Sequence, residues 1–295
     1  MNSATIKKIQ LHSDDLIFSA LSCGSGTPVF LLHGFPDTHH SWQPLMAPLA
    51  EAGFQVIAPA CRGYEPCSIP ADKDFRLQIL GRDLLNWMDD LNIDRAHFVG
   101  HDWGSIIVQV ATQLEPKRCL SLTTMAVPPA KRFVQSTLRS ATQLRNSSYM
   151  GFFQLRGISE RRIHRNHFQM LDRLWHKWSP NLDQACDKVK QAFALPGVTT
   201  AALSYYRQGL NPLTLRSNLK MFNRPFTVPT QAIYGTRDGC IDQRIFLNSL
   251  KRKDFAKQLK ISKVENAGHF MNLEQPEQVS QLLQGWLQQH NPTTE

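Results

Sequence analysis

The hydrophobic positions of this chain change period several times, and the changes mark its elements. Val29-Phe30-Leu31-Leu32 is a short, wholly apolar run, the pattern of a parallel strand covered on both faces. Further strand-like runs occupy 54–58, 96–99, 119–125, 231–234 and 258–264. Between them the apolar residues follow the helical period. Leu77, Leu80, Leu84, Trp87, Met88 and Leu91 share one face of a helix predicted over 75–91. A helix is predicted over 42–51, with Ser41 as its cap and Gly53 beyond its end. The last helix carries Val279, Leu282, Leu283, Trp286 and Leu287 on one face. Strands alternating with helices predict an α/β fold: a mostly parallel sheet flanked by helices on both faces. Two N-terminal runs, 6–11 and 16–21, are separated by His12-Ser13-Asp14-Asp15 and predict an antiparallel hairpin at one sheet edge.

The alternation stops at Pro128-Pro129. From there to Pro225 the pattern gives helices and no strand, with a helix start at Ser179-Pro180 and a stop at Pro196-Gly197. After Pro225 the strand–helix pattern resumes. A helical insertion in an interrupted α/β sheet reads as a cap. The expected organisation is a core of 1–127 and 226–295 with a helical cap of 128–225. No internal repeat or low-complexity tract occurs, and 291–295 reads as a loose tail.

Composition narrows this little. Apolar content of 42% and charged content of 19% are ordinary for a globular chain of 295 residues. The net charge of +9 is concentrated in part at 116–159, which holds seven Lys or Arg and no acid. That stretch reads as a solvated cationic surface, with weak attraction to anionic surfaces as the alternative. No zinc-finger spacing, RNP-like motif or heptad zipper points to nucleic acid. The six cysteines are scattered with no Cys-x-x-Cys, which favours thiols in a reducing cytosol over disulfides or zinc. Neither a signal-peptide core nor a run of about 18 apolar residues is present, so a cytoplasmic protein without a membrane span is expected. His39-His40, and His164 with His167, lack the carboxylate partner of a metal motif, so no metal is expected.

The chemistry concentrates at Gly-His-Asp-Trp-Gly, 100–104. This is the spacing of the nucleophile elbow, Gly-x-nucleophile-x-Gly, between a strand-like and a helix-like run. The nucleophile position holds Asp102, whose carboxylate can attack carbon and form an ester. Such an ester needs a base to activate water. His269, in Asn266-Ala267-Gly268-His269-Phe270, follows a strand and precedes the last helix, the place for a general base. Asp238, after the Tyr234-Gly235 strand end, is the candidate acid that orients it, with Asp242 the weaker substitute. The order nucleophile, acid, histidine is the one this fold uses. A second signal is His33-Gly34-Phe35-Pro36. There the N–H of Phe35 can join that of Trp103 in an oxyanion hole, with a cis Pro36 fixing the turn.

Together these segments resemble the α/β-hydrolase-fold epoxide hydrolases, along the whole chain. In that family two cap tyrosines face the Asp and hold the epoxide oxygen. The resemblance assigns these places to Tyr149, in Ser148-Tyr149-Met150-Gly151-Phe152-Phe153, and Tyr206, in Ser204-Tyr205-Tyr206-Arg207, with Tyr205 left open as the alternative to Tyr206. Read singly, each tyrosine is a core residue. His33, Pro36, Tyr205 and Phe270 are expected to line the substrate pocket. The implied reaction joins a small-molecule epoxide and water to give a vicinal diol, without metal or organic cofactor. A homodimer through the cap is left open. The sequence departs from the family at Ala60-Cys61-Arg62-Gly63, where an acid before the Arg-Gly is missing, at Ser105, where Ala is common, and at Gly151.

Two other readings compete. A haloalkane or haloacid dehalogenase also uses an Asp nucleophile, but commonly holds halide with Asn where Phe35 stands, or carboxylate with Arg where Trp103 stands. A non-catalytic ligand receptor on the same fold need not keep a triad and two tyrosines.

Overall fold

The computed structural model describes residues 5–182, 186–209, 211, 214, 218 and 220–292. Its strands are β1 (Lys7–Ser13), β2 (Leu16–Cys23), β3 (Thr27–Leu32), β4 (Phe54–Pro59), β5 (Ala96–His101), β6 (Cys119–Met125), β7 (Thr230–Gly235) and β8 (Leu259–Val264). They form one sheet in the order β1-β2-β4-β3-β5-β6-β7-β8. β1 pairs antiparallel with β2, and β2 with β4, while every other pair is parallel. The expected hairpin is the antiparallel edge. Each strand-like apolar run of the sequence is a strand, and β5, β6 and β7 are buried along their whole length.

The described helices are α1 (Gln43–Glu51), α2 (Leu77–Asp90), α3 (Trp103–Leu114), α4 (Ala130–Thr137), α5 (Ala141–Asn146), α6 (Ser148–Phe152), α7 (Ile158–Trp178), α8 (Asp187–Ala194), α9 (Val198–Gly209), α10 (Gln243–Asn248), α11 (Met271–Glu274) and α12 (Pro276–Gln289). Leu45 and Leu49 of α1 and Leu283 and Trp286 of α12 close one face of the sheet over Val29, Val56 and Val99. Leu80, Leu84 and Trp87 of α2 and Val108 of α3 close the other over Phe30 and Phe98. The chain crosses from β4 back over β3 to β5. A crevice therefore opens at the carboxyl ends of β3 and β5, where strand order reverses and ligands of open α/β sheets bind.

Between β6 and β7 the described residues form α4–α9 and no strand. α7 is broken at 165–168, where Asn166, His167 and Phe168 take positive φ. The insertion shares the core's packing: Phe153, Ile163, Trp178, Phe193 and Tyr206 lie in the same buried cluster as Phe30 and Phe98. Among the described residues no helix is long and apolar enough to cross a membrane.

Two cap expectations fail. Ser179 starts no helix; it terminates α7, and its hydroxyl accepts from Phe270 N–H at 2.8 Å instead of serving a helix N-terminus. An acceptor taken by a tertiary donor is not available to a helix end. Ser41 does not cap α1 because it lies inside the single helical turn His39–Trp42 that leads into it, with its hydroxyl donating to buried Asp37 at 2.7 Å.

Arg62 takes its acid from α2. Asp83, on the inner side of α2, takes the Arg62 guanidinium in a two-pronged ion pair, with Nε to Oδ2 at 2.7 Å and Nη2 to Oδ1 at 2.5 Å. Ser13 of β1 donates to the same carboxylate at 2.7 Å. Arg62 and Asp83 are both buried, so removing one partner strands a charge. Asp83→Leu should lower unfolding stability by about 3–5 kcal/mol, and adding Arg62→Met should recover most of that loss. Urea unfolding midpoints measure both; equal destabilisation by the single and double variants would contradict the ion-pair account.

Candidate active site

The elbow is built by close approach. Asp102 joins β5 to α3 with φ 52° and ψ −119°, a conformation an L residue holds only when its surroundings enforce it. Gly104 permits it, because a Cβ there would collide with the Leu32 carbonyl of β3. Ser105, the residue where Ala is common, ties the turn to β6. Its hydroxyl donates to Gly100 O at 2.6 Å and is placed to donate to Met125 O at 2.8 Å, and it accepts from Met125 N–H at 2.9 Å. Asp102 N–H reaches the same Met125 carbonyl at 3.1 Å.

The two oxygens of Asp102 face different partners. Oδ1 accepts from the Phe35 N–H at 2.7 Å. Oδ2 lies 3.4 Å from His269 Nε2. A Cβ on Gly34 would strike Asp102 and come within 2.6 Å of the Trp103 nitrogen, so only glycine lets these two backbones meet over the carboxylate. The Phe35–Pro36 peptide is cis, as expected. His33 braces the turn: Nδ1–H donates to Gly34 O at 3.0 Å, and Nε2 accepts from Cys61 N–H at 3.0 Å. His33, expected to line the substrate pocket, has both ring nitrogens committed to main chain. Burial pushes its imidazole down to about 4, which keeps it neutral.

His269 sits between two carboxylates. Its Nδ1 lies 3.0 Å from Asp238 Oδ2, while Asp238 Oδ1 accepts from Cys240 N–H at 2.7 Å and Ile241 N–H at 3.0 Å. Burial alone would lower the imidazole pKa, but the Asp238 charge, hydrogen bonding to both carboxylates and the Asp102 charge raise it to about 10. Burial likewise works to raise Asp102, yet His269, the nearby His101 and the Phe35 N–H hold that carboxyl below the usual range. Asp238 is thus the acid beside the imidazole, while Asp242 caps α10, accepting from Arg244 N–H at 2.8 Å.

Both loops of this pair rest on the end of α7. The Trp178 carbonyl accepts from Gly239 N–H at 3.1 Å and from His269 N–H at 2.9 Å. Phe270, another expected pocket residue, is fully buried and stacks on Trp175 at 4.4 Å between centroids, supporting the histidine. Pro36 contributes its carbonyl, which accepts from Trp175 Nε1 at 2.7 Å.

The tyrosines separate cleanly. Tyr205 donates to the Arg62 carbonyl at 2.7 Å. Adjacent residues of a helix point about 100° apart, so its neighbour faces elsewhere. Tyr206 meets Phe35 at 5.2 Å and Trp103 at 5.1 Å between ring centroids, and its buried hydroxyl has no hydrogen-bond partner among the described residues. Tyr149 lies 5.8 Å from the Tyr206 ring, with its hydroxyl 3.8 Å from Cys240 Sγ. Burial first, then the Asp102 charge, raises the Tyr206 phenol well above its ordinary value, with Trp103 pulling the other way. Burial, Cys240, Tyr206 and then Asp102 raise that of Tyr149.

Three neighbours escaped the sequence reading. His101 donates from Nε2 to the His269 carbonyl at 2.8 Å beneath the imidazole. Asp37, 1% exposed, is pushed up by burial to about 7 and senses both Asp102 and His269. Cys240 reaches the Tyr149 hydroxyl across 91 residues of sequence. Asp37 stands directly after the Phe35-Pro36 turn and was legible there as an acid beside the site; nothing local marks Cys240.

The alpha/beta hydrolase fold family model matches residues 27–276. The chain is 28% identical to the AB hydrolase superfamily protein YfhM of Bacillus subtilis (strain 168), over 97% of this chain and 99% of that one. It is 24% identical to epoxide hydrolase 4 of Homo sapiens, over 95% of this chain and 78% of the human one. Among solved structures, epoxide hydrolase A of Mycobacterium thermoresistibile superposes with a TM-score of 0.77 at 21% identity, covering 96% of this chain and 98% of its own. The family match runs from β3 to the start of α12 and so takes in the elbow and both partner loops: the chain belongs to the α/β hydrolase fold family, and it is a hydrolase.

Proposed function

We propose that this hydrolase opens epoxides. The observation that carries the reading is the buried, unpartnered Tyr206 hydroxyl beside Tyr149, with Asp102 the strongest charge it senses. A buried hydroxyl without a partner is costly, and a substrate oxygen between the two phenols would satisfy it. The names of several relatives, the human epoxide hydrolase 4 among them, support the same reading. In it the helical segment 128–225 is the cap over a core of 1–127 and 226–295.

The chemistry has two halves. Asp102 Oδ2, which lacks a backbone donor, attacks an epoxide carbon while Tyr149 and Tyr206 hold the ring oxygen and protonate it as the C–O bond breaks. The carbonyl oxygen of the ester stays where Oδ1 already accepts from Phe35 N–H, with the Trp103 amide alongside. Water activated by His269 then attacks that carbonyl, Asp238 holding the imidazole. As the ester C–O bond breaks, the proton taken by His269 passes to the departing oxygen, the diol leaves, and the carboxylic acid formed at Asp102 ionises, its proton making good the one the phenol gave up.

The charge pattern times the halves. While Asp102 is ionised, two carboxylates hold the His269 proton. Ester formation neutralises Asp102, removes its hydrogen bond and charge from the imidazole, and leaves Asp238 as the sole acid facing it. The imidazole pKa then falls, and the base appears when water must be activated. Ester hydrolysis needs neutral His269, so its rate rises with pH through a pKa below about 10. Ester formation needs ionised Asp102 and protonated phenols, so it stays level across the same range. Rapid-quench kinetics of the ester at several pH values checks this; a hydrolysis rate that falls with rising pH would refute the assignment.

Covalent catalysis is tested directly. His269→Gln should accumulate an adduct on Asp102 equal in mass to the intact epoxide, located by peptide mass spectrometry. A single turnover in oxygen-18 water with excess enzyme should give unlabelled diol, and labelled diol at that stage would mean direct attack by water.

The tyrosines separate the epoxide reading from its neighbours. Tyr149→Phe combined with Tyr206→Phe should slow ester formation by about 10²–10⁴-fold without lowering the melting temperature much. Chloride release from a haloalkane panel with no diol from an epoxide panel would favour the dehalogenase reading; binding without turnover of either would favour a receptor.

A further inference from the structure

Five of the eight large apolar side chains that stand exposed among the described residues fall within 134–158, on the helical insertion. They range from Val134, 41% exposed, to Leu138, 69% exposed, with Leu144, Leu155 and Ile158 between these limits. α4 packs on α5 and α5 on α6, so they occupy consecutive pieces of the insertion. An exposed arginine directly follows an exposed leucine three times: Leu138-Arg139, Leu144-Arg145 and Leu155-Arg156. Arg161 and Arg162 are exposed one turn beyond Ile158. None of these five guanidinium groups is in an ion pair among the described residues, and the acids of the neighbouring segments are engaged elsewhere. Glu160 holds Arg207 at 2.8 Å, Asp254 takes Arg132 at 2.6 and 2.8 Å, and Asp242 caps α10.

Such a surface makes two demands on a partner: anions for the guanidinium groups and an apolar medium for the aliphatic tips. A second copy of this chain meets only the second, because it would bring the same unpaired arginines against these. A nucleic acid meets only the first, because its phosphate backbone offers the leucines nothing. An anionic bilayer meets both. Its phosphates accept from the guanidinium forks, and the acyl boundary lies just beneath them. An arginine beside each leucine fits that boundary, since its stem lies with the apolar side chain while its head stays at the phosphates.

We propose that the outer face of the insertion, 134–162, docks on an anionic phospholipid surface: Leu138, Leu144, Leu155 and Ile158 enter the headgroup boundary, and Arg139, Arg145, Arg156, Arg161 and Arg162 hold phosphates. Among the described residues no helix is long and apolar enough to cross the bilayer, so the attachment is peripheral. α6, which carries Tyr149, lies within the docked stretch, so the lipid contact and the candidate site share one segment. The contact does not depend on the epoxide reading, and binding is measured without turnover.

Vesicle sedimentation of the full chain at physiological salt tests this, with phosphatidylcholine alone and with an equimolar mixture of phosphatidylcholine and phosphatidylglycerol. The protein should sediment with the mixed vesicles and stay in solution with the neutral ones. Arg139→Gln, Arg145→Gln and Arg156→Gln together should weaken binding about 100-fold, each arginine beside a charged bilayer being worth about fivefold. Leu138→Ser, Leu144→Ser and Leu155→Ser together should weaken it about tenfold or more at unchanged charge. Ile17→Ser with Ile261→Ser, exposed outside the insertion, should leave binding unchanged. All these positions are exposed, so melting temperatures should barely move. The inference is overturned if the wild-type chain binds neither vesicle or both alike, or if either triple variant binds as the wild type does. It is equally overturned if the Ile17 and Ile261 pair weakens binding as the leucine set does, or if light scattering shows a dimer that the leucine set dissociates. Duplex DNA bound as tightly as the mixed vesicles would overturn it in favour of a nucleic acid.

Discussion

The carboxylate at a positive-φ turn is the constraint around which this molecule is arranged. Asp102 is held at φ 52° only because β3, β5 and β6 converge beneath it and glycine stands wherever backbones would otherwise collide. The same convergence fixes Phe35 N–H on Oδ1 and turns Oδ2 toward His269. One carboxylate is thus made two-faced: one oxygen is held by backbone and the other is exposed to chemistry. A flexible loop could not keep that distinction, since both oxygens would exchange roles by rotation about the Cβ–Cγ bond.

In the proposed reaction a carboxylate nucleophile would also change what the histidine is for. A serine must lose a proton before it attacks, so its histidine bonds to it closely. Asp102 is held in its ionised form, so in that reaction His269, 3.4 Å from Oδ2, would act later, as the base for water. Flanking carboxylates would make such a histidine a poor base permanently if both remained charged. In the proposed reaction esterification would remove one of them at the moment it matters. The alternation of charge in the pocket would then come from the covalent step itself, without a conformational switch.

Much of this was legible in the sequence because it depends on local pattern. Apolar runs of strand length located β3 through β8, and the glycines around Asp102 and before His269 announced backbone approaches that side chains would forbid. Chain order then gave Asp238 its place. What the sequence withheld is set by pairs far apart along the chain. Tyr205 and Tyr206 are indistinguishable by pattern, and only the Arg62 carbonyl tells them apart. Asp83 reads as one more polar position on an amphipathic helix, yet it holds the buried Arg62 guanidinium in a two-pronged ion pair. Ser179 carries the composition of a helix cap, and a tertiary partner, Phe270 N–H, takes its hydroxyl away from that task. In each case the local preference was real, and a buried long-range hydrogen bond outweighed it.

The end of α7 shows why the helical insertion belongs to the site. Trp178 offers one carbonyl to the loop of the acid and to the loop of the histidine, and Ser179 accepts from Phe270 one residue further on. Asp238 and His269 must remain 3.0 Å apart for the imidazole to stay oriented, and no covalent link short of the whole strand β8 joins their loops. The helix end is the nearest common support. Tyr149 and Tyr206 come from the same insertion, and Cys240 connects the first of them back to the acid's own loop. The groups that would protonate the substrate and the groups that would activate water are thus referenced to shared backbone. A displacement of α7 large enough to admit a bulky substrate would have to carry both triad loops with it or break three hydrogen bonds. Substrate entry is more economically served by the segments that make no such bonds to the triad loops than by this helix.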